Sequence, residues 1–150
     1  MKEKCILRSL LVIMISAHIG FGISWIYIFG TQWQNDGVSM TTTMVEQMRL
    51  RGTLRSICEA LIYITFIAYS WLSRYIYKIK EIKSFVELMK KLITIVGILG
   101  LLEMGVNYII LSEFKGVFNF LEPMLVCLGI SVVNVALWYA IKHRSDKSHE

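Results

Sequence analysis

Hydrophobic positions in this sequence are gathered into long runs instead of recurring at helix or strand spacing. Four stretches stand out: Ser9 to Gly30, Ile57 to Tyr77, Leu92 to Leu111 and Val117 to Ile141. A helix needs ~20 mostly apolar residues to cross ~30 Å of hydrocarbon at 1.5 Å per residue, and each stretch reaches that length. The expected fold is therefore all-α, an integral membrane four-helix bundle in one transmembrane domain covering residues 1–150. Its helices are expected at about 9–30, 57–80, 85–111 and 117–141. The first run follows a short basic leader, as a signal peptide would. It is longer than the usual apolar core of such peptides and no small-residue cleavage site follows, so it reads as a retained helix.

The polar connections carry patterns of their own. Thr43-Met44-Val45-Glu46 has capping-box spacing, and Met40, Met44 and Met48 repeat every four residues. Two readings fit: a short amphipathic helix lying on the outer leaflet, or the wet N-terminal extension of helix two. Ser84-Phe85-Val86-Glu87 has the same capping spacing, so helix two is expected to run to about Lys80 and helix three to start near Phe85. The long second and third helices then form a cytoplasmic hairpin. Its apolar seam is Ile79, Ile82, Phe85, Val86 and Met89, and Lys78, Lys80, Lys83, Lys90 and Lys91 are its wet side.

Composition and charge sharpen this picture. The chain is 55% hydrophobic and 18% charged, with a mean hydropathy of +0.57 and one proline, which excludes a disordered tail, a collagen-like fibre and a disulfide scaffold. Of the 16 Lys and Arg, three lie in the leader, six between Arg74 and Lys91, and three in the tail. That bias puts both termini in the cytoplasm of a cell membrane. Arg49, Arg51 and Arg55, before helix two, dissent. A pI near 9.2 needs no nucleic-acid partner, because the basic ends sit where anionic headgroups lie. The bilayer is the first partner, and a homo-oligomer or a membrane protein partner the second.

Helices in lipid associate through close packing and polar contacts. Ser16, Gly20 and Ser24 form a small-residue ridge on helix one, and Gly97, Gly100 and Gly105 offer seams on helix three. Ionisable residues in hydrocarbon are costly and mark function or glue. Glu103 lies about halfway along helix three, with Gly100 and Asn107 on its face. His18 lies at a matching depth on helix one, so Glu103, His18 and Asn107 form a candidate intramembrane polar site. One reading is a proton relay or ion site; the other is a hydrogen-bonded interhelical link.

Polar stripes mark two other helices: Glu59, Tyr63, Ser70 and Arg74 on helix two, and Asn119, Cys127, Ser131 and Asn134 on helix four. Glu122 precedes Pro123, which is favoured in a helix's first turn. Helix four is thus expected to become regular at Glu122, after an interfacial Val117–Leu121 segment. Alternatively, Glu59 and Glu122 meet as an outer acidic group for cations. Trp25, Tyr27, Trp33, Trp71, Tyr75, Tyr77, Trp138 and Tyr139 suit interfacial belts.

Other chemistry finds no support. Cys5, Cys58 and Cys127 form no Cys-x-x-Cys pair, the three histidines lack metal-ligand spacing, and no phosphate-binding glycine loop occurs. No catalytic residues, metal or cofactor are assigned, and an enzyme is not expected.

Phe85-Val-Glu-Leu-Met-Lys-Lys-Leu-Ile-Thr-Ile-Val-Gly97 resembles the start of helix three in the bacterial four-helix membrane proteins of domain of unknown function 2975. Those proteins share a Phe, an acidic helix start, a basic pair and a Gly twelve residues after the Phe. Their acidic, threonine-ending tail has no counterpart in Lys142–Glu150. The resemblance implies a bacterial cytoplasmic membrane and no activity. The leading expectation is a non-enzymatic accessory, regulatory or immunity-type subunit acting by contact. The alternative is a proton- or cation-coupled transport protein using Glu103 and His18.

Overall fold

The computed structural model describes residues 2–34, 41–111 and 117–147. They form four helices: α1 (Lys2–Gln34), α2 (Thr42–Ile76), α3 (Ile82–Leu111) and α4 (Val117–Lys147). All four contain a segment long and apolar enough to cross a membrane. With 33, 35, 30 and 31 residues, each is ~45–52 Å long, well beyond the ~30 Å of hydrocarbon.

The helices pair as two antiparallel hairpins. In the first, Gly20 of α1 faces Cys58 of α2, and Trp25 and Tyr27 face Arg55 and Arg51. In the second, Gly97 of α3 faces Met124 of α4, and Gly100 faces Phe120. The hairpins then lie side by side, α1 against α3 and α2 against α4, while α2–α3 and α1–α4 are the diagonals. Trp71–Asn134 and Arg74–Trp138 contacts keep constant register between α2 and α4, so those two run in the same direction. It follows that α1 and α3 also run in parallel.

The turn between α2 and α3 explains why α2 stops at Ile76, short of Lys80. Lys78 adopts the left-handed conformation at φ 48°. Ile79 N–H donates to the Arg74 carbonyl at 3.0 Å and Lys78 N–H to the Tyr75 carbonyl at 3.3 Å. This is a Schellman termination that uses a lysine where glycine is the usual choice, and Ile79 adds the accompanying apolar contact with the core. Helix α3 begins at Ile82, its first turn closed by Phe85 N–H to the Glu81 carbonyl at 3.2 Å. The Ser84 capping box is therefore not used. An earlier start brings both Ile82 and Phe85 onto the core.

Two other helix starts differ from expectation. Thr41 caps α2, its hydroxyl accepting from Met44 N–H at 3.4 Å, so the outermost of three consecutive threonines is used and the Thr43 box is not. Met44 and Met48 belong to one unbroken α2, and the separate helix on the leaflet is not formed; Met40 lies outside the described residues. Helix α4 is continuous from Val117 with Pro123 inside it. Proline this early interrupts only the bond to the carbonyl one turn back, and Pro123 is buried, so the helix does not wait for Glu122 to begin. The Ser112–Gly116 turn lies outside the described residues.

Helices α2 and α3 are therefore joined by a turn but do not pack as the expected hairpin, and the core at the end where they meet is aromatic. Phe85 is fully buried, stacks on Trp138 with centroids 6.1 Å apart, and meets Trp71 at 6.2 Å. Met89, Leu92, Val96, Phe66 and Ile62 extend it towards Met14 and Phe21. Of the expected hairpin seam, Phe85 and Met89 are buried and Ile79, Ile82 and Val86 half-buried. The lysines at 78, 80, 83, 90 and 91 are exposed.

Candidate functional site

Between α1 and α3, His18 Nδ1 lies 2.8 Å from Glu103 Oε1. His18 is fully buried and the Glu103 side chain is 12% exposed. Phe21 stands edge-on to the imidazole at 6.2 Å, and Trp25 edge-on to Phe21 at 6.5 Å, so aromatic rings wall the histidine on its own helix. One turn beyond His18 sits Gly22, whose missing side chain makes the space that the Glu103 carboxyl occupies. A Cβ there would lie 2.5 Å from Oε2, closer than carbon and oxygen approach without a shift.

This geometry is a single hydrogen bond between the two side chains. At 2.8 Å either an imidazolium N–H donates to a carboxylate or a carboxylic acid donates to Nδ1 of a neutral ring, and these two forms differ by one short proton transfer. Among the described residues, His18 Nε2 and Glu103 Oε2 are buried with no hydrogen-bond partner, so each group keeps one polar atom beyond the shared contact. Asn107 is fully buried one turn further along α3. Gly100 serves another purpose: an added Cβ would lie 2.5 Å from the Phe120 carbonyl oxygen, which makes it the close contact with α4.

Glu59 and Glu122 are both half-buried and both lie within electrostatic reach of the Tyr63 hydroxyl, as does Cys127. Tyr63 donates to Glu59 Oε1 at 3.0 Å. The contact shown is therefore between Glu59 and Tyr63 within α2, and Glu122 acts on that phenol through its charge alone. All three cysteines are free.

Several residues have roles that the sequence pattern did not separate. Gly20 and Ser24 face inward, whereas Ser16 is exposed, and Ser24 donates to the Gly20 carbonyl at 2.8 Å. The ridge therefore holds two of its three members. Trp138 is 2% exposed, a core residue and not a belt residue. Trp71 Nε1–H donates to Asn134 Oδ1 at 3.1 Å, a second polar link, here joining α2 to α4. Tyr27, Tyr75, Tyr77 and Tyr139 are exposed, as a belt requires, and the side chain of Trp33 lies outside those described. Two dissenting arginines are held over rings of α1, Arg51 5.0 Å from Tyr27 and Arg55 4.7 Å from Trp25. Gly22 had a legible signal: it lies four residues after His18 and so shares its helix face.

Compared with protein-family models, curated proteins and solved structures, the chain matches none. Function must be read from the chain's own geometry.

Proposed function

We propose that this chain is a multi-pass protein of a bacterial plasma membrane, with both termini cytoplasmic, that acts by contact as a non-enzymatic accessory, regulatory or immunity-type subunit. The observation that carries the membrane reading is an inversion of the usual distribution. His18, Ser70, Ser73, Asn107 and Asn134 are at most 4% exposed, while Ile23, Ile64, Leu102 and Val132 are about half exposed or more. In water such a surface would aggregate; in lipid it is the stable arrangement. The charge bias of the connections supports the orientation, and the resemblance at Phe85–Gly97 supports the bacterial setting.

Action by contact is supported by how the buried polar side chains are used. His18–Glu103 and Trp71–Asn134 each fasten two helices that no short loop connects. On this reading Glu103→Gln leaves folding and phenotype intact, and a second protein or a second copy accompanies the chain out of the membrane in mild detergent. Isolation of the full-length chain as a soluble monomer without detergent overturns the membrane reading. So does cleavage of the Lys78–Lys91 hairpin by protease added outside sealed cells, for the orientation.

A specific observation favours a second reading, a proton- or cation-coupled small transport protein. The atoms left over at His18 Nε2 and Glu103 Oε2 are those a relay would use to receive and pass on a proton. Four helices are few for a monomeric carrier, so this reading requires a dimer with the site near its axis. It demands pH-dependent flux into liposomes that Glu103→Gln abolishes, and flux unaffected by the substitution rejects it.

A further inference from the structure

Two openings at the end where α2 turns into α3 share one tryptophan. The first is a cleft of about 650 Å³ whose lining includes Arg74, Lys78 and Lys80, with Glu3 the one acid among the described lining residues. The second is a groove of about 640 Å³ between α2 and α4, walled by Ile67, Val126, Val133 and Leu137. Trp71 lines both. From Val126 to Leu137 the groove extends ~16 Å along α4, close to the ~15 Å of hydrocarbon in one leaflet.

The groove is apolar except at one place. Asn134 lines it, is 4% exposed, and gives its carbonyl oxygen to Trp71, while its Nδ2 donors are buried with no partner. Gly129 lies on the groove's open side, where an added Cβ meets nothing within 4 Å. An open apolar groove, a buried amide donor within it and a net-positive cleft that shares Trp71 with it match one molecule in sequence: acyl chain, ester carbonyl, phosphate.

We propose that α2 and α4 form a binding site for one anionic glycerophospholipid. The acyl chain lies along Gly129, the Asn134 amide donates to the ester carbonyl, and Arg74, Lys78 and Lys80 hold the phosphate. Arg74 is the selective element: its guanidinium lies 5.2 Å from the Trp71 ring and 5.4 Å from the Trp138 ring, so it is preplaced at the junction of the openings and suits phosphate geometry. This inference rests on the membrane reading above and is independent of which leaflet the hairpin faces.

The test is tryptophan quenching in nanodiscs of zwitterionic lipid doped with brominated phosphatidylglycerol or, at equal mole fraction, brominated phosphatidylcholine. Comparison with Trp71→Phe isolates the signal of Trp71. Quenching of Trp71 about fivefold stronger by the anionic lipid is expected, consistent with the pull of a few basic residues on anionic lipid. Gly129→Leu leaves every charge in place but sets a bulky side chain across the open groove, and is expected to bring the ratio close to one with helix content unchanged. Arg74→Gln is expected to lower the ratio by more than Lys83→Gln does, and Glu3→Gln to raise it. Equal quenching by the two lipids, or a ratio that survives Gly129→Leu, overturns the site while leaving the membrane reading intact. Quenching by neither lipid in any variant overturns both.

Discussion

The two kinds of helix pair in this molecule are held by different chemistry. Within the antiparallel hairpins, contact is made through glycine: Gly20 against Cys58, Gly97 against Met124, Gly100 against the Phe120 backbone. Between the parallel neighbours, buried polar links stand out among the described residues, His18–Glu103 near the middle and Trp71–Asn134 towards the end where α2 turns into α3. A short loop already brings hairpin partners together, so dispersion from close packing suffices to fix them. Parallel neighbours have no such tether, and a directional bond selects both partner and register. Gly22 is where the two strategies meet, a glycine whose missing side chain admits a polar group.

That division is tested most severely at Gly100. Gly100→Leu drives a side chain into backbone that cannot turn aside, and a loss of about 3 kcal/mol is expected in reversible unfolding from detergent. A loss under 1 kcal/mol would show that the α3–α4 seam is not close-packed. Gly22→Ala comes next, at about 1–2 kcal/mol, since the Glu103 carboxyl it meets is the mobile end of a side chain. Most of that cost should vanish when Glu103→Ala is added, and a double-mutant cycle without coupling would separate Gly22 from the pair. Smaller still are the links themselves. Asn134→Leu and Glu103→Gln should each cost about 0.6 kcal/mol, near the average for buried interhelical hydrogen bonds in membranes; a cost above about 2 kcal/mol would make the links, and not the seams, the main support. Gly105→Ala closes the series within about 0.5 kcal/mol of zero, because nothing lies within 4 Å of the added carbon.

The four runs and the meeting of His18 with Glu103 were legible for the same reason. Hydrocarbon length sets a ruler, and two polar residues at equal depth on helices running the same way have few other partners. Helix ends were less legible because neighbouring residues compete for one cap: Thr41 displaced Thr43, and Glu81 closed the turn in front of Ser84. Glu122 looked like a helix start because of Pro123, but a proline in the second turn is tolerated where packing holds the first. Tryptophan was the least legible. An indole suits a lipid interface and a core equally well, and only tertiary neighbours, Asn134 for Trp71 and Phe85 for Trp138, decide between them.

The link at Lys78 joins the hairpins across a diagonal, so it carries the whole covalent connection between two otherwise complete pairs of helices. During synthesis the first pair is complete before the second emerges, leaving the imidazole of His18 uncovered until the later pair arrives. Assembly of the nascent chain is then a docking event, and severing the backbone beside Lys78 should not prevent it. The two halves, produced as separate polypeptides in one cell, are expected to be recovered together through a tag on either; halves that never meet would show that the tether itself drives the docking.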